Sequence, residues 1–542
     1  MSRPSVPRLA ALVALLVLIG GCATLLFTDA GEDGAESAAG NPDPFLPLRS
    51  AGPGSGKDEQ AQVRPGRQRG RPNIVVLMAD DLDLDTYART LEGTRAALGA
   101  GGTEFEQAFV STPLCCPSRA AFLSGRYGHN NGILENNPGY PLLENKEDVL
   151  PVWLSEAGYR TAMVGKFMNG WERTEAGARG EPAPGWDEWV EMRHTFGYYD
   201  YELNLGGESR SFGSDRDDYL TDVLSSEAVG VIERTAALDQ PLFLWMSWWA
   251  PHPELSGATE GECRGSAIPP DREPGEFADR RLPGGPAIDE PDISDKPTFL
   301  RERRELRPHD RRWARTSFRC RLASMAAVEE GVGAIIAALD RSGELEDTAF
   351  VLTSDNGFFH LEHRLPDGKA LPYEEAIAVP LLIDLPASMG RQARRTAALA
   401  SNIDLAPTIL DLAGADACRA GGCADLDGLS LLAAMGKGLP RRFAGRQLLI
   451  ESTDGRPCGY SAIRNRRVLY VEHEAKAGES LCPPGQRELY SVNRDPAQLE
   501  NLLAAKPAAP GRGSPRLRRT LDRLRDCAGT RSAPVPGRAP CG

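Results

Sequence analysis

Asn73-Ile74-Val75-Val76-Leu77-Met78-Ala79-Asp80-Asp81 decides the fold. After Asn73 the run is apolar without alternation, the pattern of a strand buried on both faces, as in parallel sheets. Residues 159–164, 242–248, 348–353 and 380–383 read as further strands. Helical patterns cover 149–157, 220–237, 318–339 and 404–413. Strands alternating with helices predict a doubly wound α/β sheet. In such sheets ligands bind beyond the carboxyl ends of the strands. Asp80-Asp81 follows the first strand, and Asp355-Asn356-Gly357 follows 348–353. Each is also a common turn sequence. Brought together, these acids repel unless a cation neutralises them, and an all-oxygen set suits Ca²⁺ or Mg²⁺.

Composition narrows the class. The chain has 542 residues, 41% hydrophobic and 25% charged, enough for more than one folded domain. A formal net charge of -14 argues against nonspecific nucleic-acid binding. Arg3 and Arg8 precede an apolar stretch at 9–19, which is too short to span a bilayer and reads as an export signal. It ends in Ile19-Gly20-Gly21-Cys22, which resembles a bacterial lipoprotein box and implies lipidation of Cys22. The expectation is a protein that is exported, then secreted or held at the bacterial cell surface by a lipid anchor alone. No other stretch reads as long and apolar enough to cross a membrane. Residues 23–70 are rich in Gly, Pro, Ser, Ala and charge and read as a flexible linker.

Of 11 cysteines, setting aside Cys22, Cys115 and Cys116 leaves an even eight, which suits disulfides in an oxidising compartment. Sequential pairing is one connectivity: 263 with 320, 418 with 423, 458 with 482, and 527 with 541.

Cys115-Cys116-Pro117-Ser118-Arg119-Ala120-Ala121-Phe122-Leu123-Ser124-Gly125-Arg126 carries the chemistry. Pro117 marks a turn into a helix, so Cys115 sits at or just before a helix N-terminus, where free N–H groups favour negative charge. Arg119 adds a cation one turn on. A nucleophile beside an anion pocket suits attack on a sulfate or phosphate ester.

This stretch resembles the sulfatase signature Cys-x-Pro-Ser-Arg-x-x-x-Leu-(Ser/Thr)-Gly-Arg at every specified position. The resemblance extends over about 72–502. It implies an alkaline-phosphatase-like mixed sheet with a smaller C-terminal antiparallel-sheet subdomain. The boundaries expected are 71–440 for the catalytic domain and 441–542 for the subdomain, with strands at 459–464, 467–473 and 488–490 and a helix at 517–526. It implies conversion of Cys115 to formylglycine by a formylglycine-generating enzyme during maturation. It implies Ca²⁺, or Mg²⁺, held by Asp80, Asp81, Asp355, Asn356 and the modified Cys115.

Lys166, after Gly158-Tyr159-Arg160-Thr161-Ala162, resembles the family's first sulfate-binding lysine. His252, in Pro251-His252-Pro253, resembles its sulfate-binding histidine, and Lys369, in Asp367-Gly368-Lys369, its second lysine. Arg119, Lys166 and Lys369 would stabilise spreading negative charge, and His252 or Lys369 would protonate the leaving alcohol. One branch of the family has His two residues after the first lysine. Met168 stands there instead, with Asn169 next, which resembles the glucosamine-6-sulfatase-like branch and makes Asn169 a substrate-binding candidate. His129 is a candidate base as well as a candidate structural histidine. His360 and His363 read as supporting or structural.

The activity implied is hydrolysis of a sulfate monoester, on a sulfated carbohydrate such as an N-acetylglucosamine 6-sulfate or on an aryl sulfate. Two alternatives stand beside it. One is a formylglycine-dependent phosphonate or phosphodiester hydrolase, and the other is a non-catalytic lipoprotein that binds sulfated glycans. Residues 254–313 read as a long irregular loop. Its arginines at 301–312 read as a mixed-charge helix before a polyanion grip. Period-two placement predicts Trp245 and Trp249 in one core and Trp248 on the opposite face.

Overall fold

Asn73–Ala79 (β1) is a strand, and it lies in the interior of a ten-stranded mixed sheet. The computed structural model describes residues 71–541, apart from 194–196, 258–260, 273–276, 420–421, 454–456, 476–479, 505–513 and 532. The export signal, Cys22 and the linker therefore lie outside the described residues.

The other strands are Thr103–Phe109 (β2), Arg160–Gly165 (β3), Glu188–Arg193 (β4), Glu202–Leu205 (β5), Glu208–Ser211 (β6), Leu242–Trp248 (β7), Thr348–Ser354 (β8), Leu381–Asp384 (β9) and Arg394–Ser401 (β10). Their order is β10-β2-β9-β8-β1-β7-β3-β4-β5-β6. The central five, from β8 to β4, run parallel. β9 runs against both its neighbours, which makes the sheet mixed. Register positions the site: Ala79 lies level with both Ser354 and Trp248. Asp80, Asp355 and Trp249 therefore leave the sheet along one edge.

The sheet is doubly wound. Ile74, Val76 and Met78 share a core with residues of the helices Cys115–Ser124, Leu150–Glu156 and Leu405–Ala413. Val75, Leu77 and Ala79 face the opposite core, with residues of Leu220–Ala236 and Pro308–Arg341. Full burial of each large aliphatic side chain stabilises by about 1.5–3 kcal/mol, so a strand apolar on both faces needs both layers.

The helix Pro308–Arg341 begins ten residues before the sequence pattern predicts, because Pro308 starts it and Asp310 accepts from the Arg307 N–H. It is also long and apolar enough, by length and composition, to cross a membrane, contrary to expectation. Its apolar side is instead packed in the core around Met325, Val328, Val332 and Ile335.

Cys418–Arg419 and Gly422–Cys423 (β11, β12) form a small ribbon. Leu448–Ser452 (β13), Tyr460–Arg464 (β14), Leu469–His473 (β15) and Arg487–Tyr490 (β16) form an antiparallel sheet in that order. Its core is shared with Phe109, Tyr373 and Leu399 from around the large sheet. The four disulfides are 263 with 320, 418 with 423, 458 with 482, and 527 with 541; Cys115 and Cys116 are free and buried. The tryptophan expectation is corrected. Trp245 lies in one core, but Trp248 and Trp249 share the other, because β7 ends at Trp248 and alternation ends with it.

Candidate active site

Cys115 is the first residue of its helix, after an extended Leu114. Pro117 falls in the first turn, where a missing N–H costs no helical bond. The Cys115 thiol lies 3.5 Å from Asp80 Oδ1, and the Lys369 ammonium lies 2.8 Å from Sγ. Lys166 pairs with Asp80, and Lys369 with Asp81. Asp355 accepts from the Asp81 N–H at 3.0 Å, and the Asn356 amide donates to Asp81 Oδ1 at 2.6 Å. The structure thus brings together Asp80, Asp81, Cys115, Arg119, Lys166, His252, Asp355, Asn356 and Lys369 from six separate stretches of chain.

Local backbone explains the aim of two of them. Asp81 has a φ of 66°, a left-handed conformation uncommon outside glycine but tolerated by Asp. Gly165 has a φ of 112°, and a Cβ there would collide with the Ser247 carbonyl. Only glycine fits before Lys166 at that approach.

Arg119 is fully buried and its donors are spent on the protein. Nε reaches Asp355 at 2.9 Å, one terminal nitrogen reaches Asp80 at 3.2 Å, and the other reaches the Lys166 carbonyl at 2.6 Å and Ser247 Oγ at 2.7 Å. The sequence reading has Arg119 facing an ester. Here it is a clamp across the ends of four neighbouring strands, holding the acids in place.

Three acids and four basic side chains, Arg119, Lys166, His252 and Lys369, share this buried cluster. Burial pushes the Asp80 carboxyl up, but Lys166, His252 and Arg119 outweigh it and hold it below the usual range. Burial likewise works against Asp81, and Lys369 and His252 bring it down. Burial, then the neighbouring Asp80, pushes the Cys115 thiol up to about 12. A thiol so shifted is protonated at neutral pH and a weak nucleophile. Burial pushes His252 down to about 4 against the pull of Asp81 and Asp80. Its Nδ1 lies 2.7 Å from the Pro253 carbonyl and must donate there, so Nε2 faces Asp81 at 3.7 Å.

The donor set fits a hard cation. Ligand atoms of Asp80, Asp81, Cys115 and His252 lie within 4.8 Å of one another. Asn356 Oδ1 is buried and has no hydrogen-bond partner, an oxygen that a bound cation would satisfy.

A cavity of about 380 Å³ opens beside the cluster, lined by Lys166, Asn169, Glu172, Glu191 and Trp249 among others. Asn169 Oδ1 is buried there without a partner. Burial pushes Glu191 up to about 7.

Of two further residues at the site, the sequence reading places Trp249 in the core and passes over Arg321. The Trp249 ring sits 4.7 Å from the Lys166 ammonium and 4.0 Å from the His252 ring. Arg321, fully buried, donates to the carbonyls of Asp81 and Pro251 and so fixes the chain beside Asp81 and His252. An arginine inside an apolar helix face, between Cys320 and Leu322, is the signal that marks it. His129 lies elsewhere: its nitrogens meet Glu451 and the Cys527 carbonyl, so it is no base for this site. His360 pairs with Asp83 and His363 with Glu290.

A helix that starts at a buried cysteine and an acid cluster, both at the carboxyl ends of the parallel strands of a mixed sheet, define the alkaline-phosphatase-like fold. The profile of the family described as Sulfatase matches residues 72–415, and the chain belongs to the sulfatase family. It is 30% identical over 376 residues to the N-acetylglucosamine-6-sulfatase of Homo sapiens, covering 67% of this chain and 64% of that one. It is 30% identical over 418 residues to the extracellular sulfatase SULF-1 homolog of Drosophila melanogaster, covering 74% of this chain but 35% of that one. The chain thus spans less than two thirds of both relatives. A solved structure described as in complex with its substrate D-glucosamine-2-N,6-O-disulfate has the same fold. Its TM-score is 0.67 at 22% identity, over 84% of this chain and 97% of that one.

Proposed function

We propose that this protein hydrolyses a sulfate monoester of a sulfated carbohydrate, with formylglycine at position 115 and Ca²⁺, or Mg²⁺, beside it. The observation that carries this reading is the convergence of Asp80, Asp81, Asp355 and Asn356 around Cys115 at a helix N-terminus. Asp80, Asp81, Asp355, Asn356 and residue 115 would hold the cation. When bound, the cation supplies Lewis-acid polarisation and a countercharge for the ester. Oxidation of Cys115 would give an aldehyde, and addition of water to it would supply a diol hydroxyl as the nucleophile, which a buried, protonated thiol does not offer.

The chain's own residues do the rest. Arg119 keeps Asp80 and Asp355 aligned. Lys166 and Lys369 bring positive charge to the oxygens where charge builds in the transition state. His252 binds the sulfate, and Lys369, or His252 once Nε2 has taken up a proton, gives the proton to the departing alcohol oxygen. Asn169 lines the adjoining cavity, where its amide bonds to a sugar hydroxyl, and the buried Trp249 backs the wall behind Lys166 and His252. The human relative's name and the orphaned Asn169 oxygen favour a glucosamine 6-sulfate unit over an aryl ring as the natural group. Maturation would require a formylglycine-generating enzyme. The Drosophila relative is named extracellular, which agrees with export; the lipid anchor at Cys22 rests on its sequence box.

The test is mass spectrometry of the peptide containing Cys115, paired with release of sulfate from an aryl sulfate. A loss of about 18 Da marks the aldehyde. An unmodified thiol in active enzyme refutes the nucleophile. Faster turnover of an aryl phosphodiester than of the sulfate refutes the ester class.

A further inference from the structure

We infer that a groove at the far end of the small sheet is a second anion site, one that grips an extended sulfated polysaccharide. It deepens the proposed function but rests on separate residues. Residues 441–542 hold 19 Lys and Arg against 10 Asp and Glu, although the whole chain carries -14. This excess is gathered. Two cavities of about 380 and about 700 Å³ adjoin through Gly445, Arg446 and Gln447. Arg441, Arg442, Arg523 and Arg531 line the first, and Arg466, Arg467 and Arg516 line the second. No Asp or Glu lines either.

Arg446 is already spent on Asp404 and forms the floor. The other seven arginines are exposed and pair with no described carboxylate. At 301–312, by contrast, Glu302, Glu305 and Asp310 are interspersed among the arginines, and Arg304 pairs with Asp310 and Arg311 with Asp289.

The groove is held in shape. Arg516 and Arg523 are seven residues apart on the helix Ser514–Arg525 and so share a face. Leu521 and Leu524 of that helix are buried. The disulfide of Cys527 with Cys541 closes the segment that carries Arg531. Arg466 and Arg467 sit in the turn between β14 and β15. Clustered unpaired cations repel each other, and guanidinium groups match the paired oxygens of sulfate and carboxylate.

The shape and lining select the ligand. Two joined cavities suit a chain better than a single ion. A membrane-docking face needs exposed apolar anchors, and the exposed Leu84, Leu142, Leu238, Leu255, Met389 and Leu502 all lie outside the groove. Single-stranded nucleic acid needs aromatic platforms, and no aromatic side chain lines either cavity. The groove is also apart from the catalytic centre. Tyr460, at the opposite end of β14, donates to the carbonyl of Ala370, next to Lys369. The length of β14 puts the two sites roughly 15 Å or more apart, a span of several sugars.

The experiment uses the full chain and immobilised heparin. Wild type is retained at low salt despite its negative net charge and is released as salt rises. The triple variant Arg442→Gln, Arg467→Gln, Arg523→Gln elutes at lower salt. Its KM for a sulfated polysaccharide rises on the order of tenfold, with aryl sulfate hydrolysis unchanged. The single Arg467→Gln variant, in an exposed turn, serves if the triple fails to fold. Equal elution of variant and wild type overturns the groove, and so does tighter binding to anionic phospholipid vesicles or to single-stranded DNA. Retention is also read on a Cys115→Ala variant. Loss of hydrolysis in wild type with retention intact rejects the catalytic reading, and loss of retention with hydrolysis intact rejects the groove.

Discussion

Two clusters of buried charge in this protein are equally hidden from water and differently finished. Asp404 takes both terminal nitrogens of Arg446, at 2.5 and 2.6 Å, and the backbone N–H groups of Ser401 and Leu429. Each of its oxygens thus accepts twice. The cluster around Cys115 leaves Asn356 Oδ1 without a partner, holds Asp81 in a left-handed backbone, and adjoins a cavity where Asn169 Oδ1 is also unpaired. A buried ionic group that serves the fold closes its hydrogen bonds. One that serves a ligand leaves positions open, at a cost in stability met by the surrounding core.

The sharpest way to break this contrast is to remove the nucleophile. Cys115→Ala is expected to lower sulfate release by on the order of 10⁴-fold or more. Its thermal unfolding should match wild type, since one small buried side chain is lost. A variant that keeps activity puts the chemistry elsewhere.

The Asp404 cluster should respond in the opposite sense. Arg446→Met strands a buried carboxylate and is expected to cost about 3–5 kcal/mol in chemical denaturation. Sulfate release per folded molecule should hold. A large fall in activity at unchanged stability would erase the distinction between the two clusters.

Asn356→Ala then tests the open position directly. Calcium affinity, measured by calorimetry, should drop roughly 10–100-fold, with activity falling in step and recovering at high Ca²⁺. Unchanged calcium affinity would mean that the orphaned oxygen is not a ligand.

Much of this organisation is written in local sequence. β1 and β7 have the limits that their apolar runs predict, and β8 nearly so, because strands buried on both faces leave unbroken hydrophobic text. The acids after β1 and β8 were legible for the same reason, since each follows such a run. Flanking strands were not. β2 reads Thr-Glu-Phe-Glu-Gln-Ala-Phe and resembles an exposed segment. β10 is built mostly of Arg and small residues. The role of Arg119 as a clamp was also illegible, because motif spacing identifies a residue and leaves its partners unstated. The same holds for Trp249: only the end of β7 reveals that it turns toward Lys166. Arg321 acts through backbone carbonyls some 240 positions away in sequence, at Asp81, which no local pattern records.

The smallest expected effect concerns His129, a residue the sequence left between two roles. Burial works against its charged form, but the hydrogen bond and charge of Glu451 outweigh burial, and the net shift is upward. A folded-state pKa above the unfolded value means that the charged pair stabilises the native state. That contribution is complete below the ordinary histidine value of about 6.5 and is lost as pH rises through the folded value. His129→Gln should therefore be destabilising at pH 5.5 and less so at pH 9, by denaturant titration at both. The aryl sulfatase rate at either pH should not follow the change. If the rate does follow it, His129 communicates with the catalytic cluster, and the separation of the two kinds of buried charge fails at this residue.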